Sequence, residues 1–486
     1  MLTPDYLQRL PDSVVELYAQ AEADILADMA RRINGFDLFI PSAQYQMERL
    51  EEMGALRKDI ISKLSGLTGK SRKEIAAIMQ EAGVETLAAD EKIYQAAGLV
   101  GSPLDSSEAV QEVLNAGLQK TGGLFRNLTK TTANTATRQF ENALDRAYLQ
   151  VTSGAFDANT AVRSAIKHLA QQGVGAITYP SGHVDTLEVA VRRALVTGVN
   201  QTCLQMQEAR ADELGCDLVE TTAHSGARPS HAEWQGQVFS RSGKSRKYPD
   251  FVQVTGYGTG EGLGGWNCSH SFYPFFEGLP RTYSDKLLDS YKAKNYEYNG
   301  KKMTEYEALQ TQRGIERKLR RWKRENIAMK AAGQDATESA VKIAQWQAVQ
   351  KDFLAQTGLK RQRDREQIAG WSRKTAAQAS GDVRKNTLTN AEGQLIMRAK
   401  KTTTTALPGS IKQVESAKGG ISRNYYDDSG RWVLQVTNND HGNRKQHPFG
   451  KNGEHAHDII WKDGKIAERR VRELTDQERE ENADIL

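Results

Sequence analysis

The sequence holds no run of apolar residues approaching the ~18 that a membrane-spanning helix needs, so nothing in it reads as a transmembrane segment. Its N-terminus, "MLTPDYLQRLPDSVVELYAQ", carries acidic residues early and lacks the basic-then-apolar pattern of a secretory signal. Cysteine is scarce. Cys203, Cys216 and Cys268 are too few for a disulfide framework, and no two of them form a C-x-x-C pair. Together these absences predict synthesis in a reducing cytoplasm, and without a secretory signal the sequons "NQT" and "NCS" carry no meaning. No charge of one sign dominates either. The 66 basic and 61 acidic side chains leave a formal net charge of +5 over 486 residues, so local clusters say more about partners than the total does. There is no internal repeat.

What is present is polar and prone to helix. The charged fraction is 26%, the hydrophobic fraction 38% and the mean hydropathy −0.63. That describes a soluble chain long enough for two to four domains, each with its own core. In "SVVELYAQAEADILADMARRI" the residues Val14, Leu17, Ile25, Met29 and Ile33 recur at helical spacing, with Asp12 or Ser13 as the expected N-cap. A second helix at "SAQYQMERLEEMGALRKDIISKLSGLTG" is expected to break near Gly54. Short helices separated by Gly-containing turns then run to about residue 175, giving a helical scaffold over 1–175. Residues 176–280 read as a loop-rich α+β module, with a helix from about Asp185 to Glu213 and a β-prone run at Leu218 to Thr222. A basic helical segment fills 281–370 and a Ser/Thr/Ala/Gly-containing linker 371–408. A small α+β module closes the sequence at 409–486, with strands around "DDSG", a hairpin at Asp463-Gly464 and a final helix. The fold class expected is mainly α-helical with a central loop-rich α+β module and a small α+β C-terminal domain.

Three clusters carry potential chemistry. "HSGARPSHAEWQGQVF" and, some thirty residues later, "GLGGWNCSHSFYPF" gather His224, Arg228, His231, Trp234, Cys268 and His270. Imidazole and thiolate suit zinc, and His224, His231, Cys268 and His270 would complete a tetrahedral set. The spacing differs from the usual two-to-four-residue pairing of structural sites, since six residues intervene in one pair and one in the other. Cys268 with a nearby histidine also makes a nucleophile–base pair, although no partner carboxylate is evident. A third reading is structural: the polar side chains and Trp234 clamp a module too irregular to satisfy its own backbone, and this is the reading the residues favour.

The second cluster is basic. Arg313, Arg317, Lys318, Arg320, Arg321, Lys323 and Arg324 lie on one helix, either as a track for nucleic-acid phosphates or as a solvated face. The third, "DHGNRKQHPFGKNGEHAHDIIW", crowds His441, His447, Lys451, Glu454, His455 and His457 together with Asp458. Histidine, a cation and a carboxylate can cleave phosphodiesters without a metal, as general base, general acid and charge stabiliser. Alternatively His455, His457 and Asp458 bind a metal, or the run is a polar loop between strands.

The ordered motifs "LPDSVVELYAQAEADILADMARRI", "VAVRRALVTGVNQT", "TTAHSGARPSHAEWQGQVF", "GGWNCSHSFYPFFEG", "YEALQTQRGIERKLRRWKREN" and "WQAVQKDFLAQTGLKRQRDRE" resemble the second family of tailed-phage minor capsid proteins, relatives or analogues of the Mu F-like head proteins. The resemblance covers about residues 1–370. It implies a non-enzymatic structural protein of the virion, present in few copies in the phage head, with the portal and other head proteins as partners and packaged DNA as a neighbour. It further implies a role in head assembly or DNA delivery and no required cofactor, zinc being the one candidate. The family's polar positions fall on His224, Arg228, His231, Gln235, Gly236, Asn267, Cys268 and His270. Mu F-like proteins tend to place a basic residue and a second cysteine after the first, where Ser269 and His270 stand here. Beyond about residue 400, "HPFGKNGEHAHDI" resembles polymorphic toxin tails, which implies an RNase-like C-terminal module as the alternative function.

Overall fold

The computed structural model describes residues 4–103, 106–390, 395–406, 409–417 and 419–486. The protein is mainly helical with a small α+β C-terminal part, as expected. It divides into two compact units, residues 1–334 with 346–372, and residues 335–345 with 373–486.

In the first unit, helix Asp12–Gly35 buries Val14, Val15, Tyr18, Ile25, Leu26, Met29 and Ile33. Leu17, placed in the stripe by its spacing, faces out and is 39% exposed. Neither expected cap forms. Pro11 occupies the N-cap without a side-chain bond, and Asp12 pairs instead with Arg192 at 2.9 Å. The expected break at Gly54 is likewise absent, because Ser42–Ala96 is one helix of 55 residues, packed against the long helix Glu108–Thr152. Gly54, Gly66 and Gly69 have open space where a Cβ would sit, so each costs the helix only its ~1 kcal/mol propensity deficit. Packing along the whole length outweighs that. Glycine has a positive use where Glu108–Thr152 crosses helix Leu187–Glu213. A Cβ on Gly117 would lie 2.2 Å from Thr202 Oγ1, and one on Gly198 2.7 Å from Thr121 Oγ1.

The Leu187–Glu213 helix carries the central module. Strands Val238–Ser240, Leu218–Thr221 and Phe272–Pro274 form an antiparallel sheet in that spatial order. Leu204 of the helix joins Val219, Trp234, Phe239, Phe251, Leu263 and Phe272 in one core. Gln207, buried, donates to Asp90 Oδ2 at 2.7 Å and to the Phe272 carbonyl at 2.6 Å, and accepts from Ser271 Oγ at 3.0 Å. It thereby ties helices Ser42–Ala96 and Leu187–Glu213 to the sheet edge.

Burial pushes the Asp90 carboxyl up to about 7, against 3.8 in an unfolded chain. The folded state therefore holds a proton that the unfolded state has lost. The associated stability is complete below about pH 4 and disappears as pH rises through 7. Asp90→Asn is expected to flatten this dependence and to be more stable than the parent at pH 8, by as much as about 4 kcal/mol, with little difference at pH 4. Urea unfolding at the two pH values checks it, and equal pH slopes would contradict it.

The second unit is built on a seven-stranded sheet in the order Lys465–Arg472, His455–Lys462, Trp432–Thr437, Ile421–Tyr426, Ile411–Glu415, Leu395–Ala399, Thr387–Thr389. All pairs are antiparallel except Ile411–Glu415 with Leu395–Ala399. The "DDSG" and Asp463-Gly464 turns form as expected, the latter with φ of 49° and 74°, which suits a two-residue hairpin. Residues 371–408, expected as linker, instead supply helix Arg373–Asn386 and two strands of this sheet. Their Thr-rich, weakly periodic composition hid short strands that pairing stabilises. Residues 391–394 and 407–408 of that stretch lie outside the described residues. Helix Asp476–Glu481 closes the unit with a Thr475/Glu478 capping box.

Candidate metal centre

His231 sits on the single-turn helix Pro229–Ala232, started by Pro229, while Cys268 and His270 lie on the segment entering strand Phe272–Pro274. The fold brings the three together, each about 2% exposed. Cys268 Sγ is 3.7 Å from His231 Nδ1 and 3.7 Å from His270 Nδ1, and the two Nδ1 atoms are 3.4 Å apart. Every other edge of these rings is engaged. His231 Nε2 meets the Glu261 carbonyl at 2.8 Å, and His270 Nε2 meets Gln235 Oε1 at 3.1 Å. Gln235 Oε1 also accepts from the His224 backbone N–H at 3.0 Å. Trp234 packs on both imidazoles, with ring centroids 4.7 and 4.9 Å away.

The remaining motif residues hold the surrounding loops. Arg228 donates to the Trp266 carbonyl at 2.7 Å. Asn267 and Gly236 take left-handed backbone, φ 53° and 67°, and a Cβ on Gly236 would press into Leu288 at 2.8 Å. His224 stacks on His270 at 4.5 Å with its Nε2 buried and unpartnered, but it stands outside the group of three ligand atoms. Sequence reading missed Asn200, whose side chain donates to the carbonyls of Cys268 at 3.1 Å and His270 at 3.4 Å. One asparagine on a long helix gives no signal of such a role.

Electrostatics argue against a nucleophilic cysteine. Burial pushes the Cys268 thiol up, and burial also lowers His224, His231 and, furthest, His270. An activated thiolate needs the opposite shift. All four residues line a cleft of about 1000 Å³, with Arg228 and Arg313 also on its wall.

The basic helix is mostly committed within the fold. Of its seven cations only Arg317 and Lys318 are exposed. Helix Glu305–Ala331 packs against Asp12–Gly35 and Ala158–Gln172, Arg313 lines the cleft, and the other four cations have partners within the same unit. Arg320 pairs with Glu188, Lys323 donates to the Glu366 carbonyl at 2.7 Å, Arg321 lies over the Trp322 ring, and Arg324 is half-buried facing Glu22. Burial brings Lys323 down to about 8.

In the C-terminal unit the four imidazoles do converge. His455 Nε2 lies 2.9 Å from His457 Nε2, His455 Nδ1 2.7 Å from the Gly453 carbonyl, and His447 stacks on His455 at 4.1 Å with His441 beside them. The expected acid–base set is not assembled around them. Glu454 accepts from the backbone of Lys451 at 3.1 Å and Asn452 at 2.8 Å, and faces Arg479, so its carboxylate serves its own turn. Lys451 itself is exposed. Asp458 pairs with Arg472 at 2.8 Å and is not in the histidine group. Burial, reinforced by the neighbouring imidazoles, lowers His441 and His455 and brings His457 down to about 4. Those shifts favour the neutral imidazole at these three positions. His441, His455 and His457 do place ligand atoms close enough for a metal.

Comparison with known proteins bears on the first unit. Residues 2–355 match the family described as phage minor capsid protein 2. The chain belongs to that family. The chain is similar to a structural protein of Lactococcus phage LL-H, at 25% identity over 339 residues, covering 66% of this chain and 88% of the relative. It is also similar to a structural protein of Lactococcus phage mv4, at 34% identity over 126 residues, covering 25% of this chain and 94% of that protein. No solved structure matches. Family membership makes this a structural protein of a phage particle, and the matched span takes in the long helices, the His–Cys group and the cleft apart from Arg365. Among the described residues no helix is long and apolar enough to cross a membrane.

Proposed function

We propose that this protein is a low-copy component of the phage head that seats against the portal, contacts other head proteins and acts in head assembly or DNA delivery. The observation that carries the reading is the span of the family match. It covers the helical body and central module and stops short of the seven-stranded sheet, so what the family shares is a scaffold. The chemistry of that scaffold agrees, since its thiol is pushed up and most of its basic helix is committed to internal pairs.

Mass spectrometry with cross-linking on purified particles tests the proposal. The chain is expected at low copy number, cross-linked through the first unit to the portal protein. Particles without the chain would overturn the head assignment, and particles containing it with cross-links only to tail proteins would overturn the portal contact.

A further inference from the structure

We propose that His231, Cys268 and His270 bind one zinc ion through His231 Nδ1, Cys268 Sγ and His270 Nδ1. The inference stands on the geometry of the three side chains and holds whether or not the protein meets the portal.

The first argument is tautomeric. The Glu261 carbonyl can only accept, so His231 Nε2 facing it at 2.8 Å carries the ring proton. Gln235 Oε1 already accepts from the His224 N–H, which fixes its amide orientation, so His270 Nε2 is protonated too. In neutral rings both Nδ1 atoms are then bare lone pairs. They face each other at 3.4 Å, and a single S–H proton is available to share between them. Two buried lone pairs and a sulfur aimed at one point are poorly satisfied by hydrogen bonding. A cation at that point satisfies all three.

The second argument is metric. Zn–N bonds of 2.0–2.1 Å and a Zn–S bond of 2.3 Å at tetrahedral angles put the nitrogens about 3.4 Å apart and each about 3.6 Å from the sulfur. The observed edges are 3.4, 3.7 and 3.7 Å. The outer contacts match as well. Both imidazoles donate their remote N–H to an oxygen acceptor, which orients ligating histidines, and the His270 backbone N–H points at Cys268 Sγ at 3.4 Å. One thiolate and two imidazoles select zinc over the hard oxygen-seeking cations. Binding displaces the Cys268 thiol proton to solvent, so affinity rises with pH. The three ligands lie at the wall of the cleft.

The spacing that argued against zinc concerns sites whose ligands come in close pairs on zinc-ribbon-like loops. Here a single-turn helix and a strand entry supply the ligands, and the core residues Trp234, Leu263 and Phe272 bring them together.

Elemental analysis of the full-length protein tests the proposal, reading differences between variants because His441, His455 and His457 can add metal of their own. Cys268→Ser and His270→Gln are expected to lose about one equivalent of zinc, while Cys203→Ser and Cys216→Ser keep it. Since either site variant can also fail to fold, the wild-type protein reconstituted with Co(II) supplies a second readout. A thiolate-to-cobalt charge-transfer band in the near ultraviolet is expected. Equal zinc in wild type and Cys268→Ser, or a cobalt protein without that band, would overturn the site.

Discussion

Arg423→Ala is expected to unfold the C-terminal unit, at a cost of about 3 kcal/mol or more. Arg423 lies mid-sheet on strand Ile421–Tyr426 and is 0% exposed. Its guanidinium makes a two-pronged contact with Asp484, one prong at 2.7 Å, and donates to Gln413 Oε1 at 3.2 Å and Asn482 Oδ1 at 3.3 Å. The sheet interior is thus held to the C-terminal segment through one cation, whose hydrogen bonds keep the Asp484 carboxyl below its usual range. Truncation leaves a cavity and strips buried Gln413 and Asn482 of a partner, and unsatisfied buried groups cost more than their bonds contributed. Asp484 is half-exposed and recovers water, so most of the loss comes from the cavity and the two amides. Hydrogen exchange on the full chain is the measurement. Protection should fall across strands 411–415, 421–426 and 432–437 while the helices of the first unit stay unchanged. Unaltered exchange in those strands would refute the account, and Arg423→Lys should recover only part of the protection because an ammonium cannot reproduce the fork.

The second large effect is expected at Gly262. A Cβ there would sit 1.9 Å from the Gly256 carbonyl oxygen and 2.3 Å from its carbon, and backbone cannot swing aside as a flexible side chain can. Gly265 is blocked in the same way, 2.3 Å from the Gly260 oxygen. The loop is pinned from both ends, by Leu263 N–H donating to the Thr255 carbonyl at 3.0 Å and Trp266 N–H to the Gly260 carbonyl at 2.7 Å. Gly262→Ala is therefore expected to cost about 3 kcal/mol or more, at the upper end of overpacking effects. The displaced segment includes Glu261, whose carbonyl fixes the His231 tautomer, so zinc retention should fall along with the melting temperature. Gly54→Ala is the matched control. It meets nothing within 4 Å in a helix interior and should stabilise by about 1 kcal/mol. A Gly262→Ala protein that melts with the parent would show the loop to be free to move.

Legibility from sequence followed the range of the interactions involved. Helix Leu187–Glu213 and strand Leu218–Thr221 were expected within a residue or two, because stripe spacing and β-branched runs are local signals. The Asp463-Gly464 hairpin was legible for the same reason, since its two residues alone supply the positive φ that the turn demands. The helix break at Gly54 was misjudged because packing against a helix some fifty residues later outweighs one glycine's propensity. In the basic helix, charge density was plain, but its partners Glu22, Glu188 and Glu366 lie far off in the chain or beyond a turn.

The sequence by itself determined the helical body, the hairpins of the C-terminal unit, the family and the names of the motif residues. Tertiary structure alone decided what those residues do together. Two Nδ1 lone pairs converge on Cys268 Sγ only because the Glu261 carbonyl and Gln235, thirty or more residues from the rings they bind, hold the protons on the opposite ring edges. A tautomer is set by its partners in space. No spacing within "HSGARPSHAEWQGQVF" or "NCSH" can encode it.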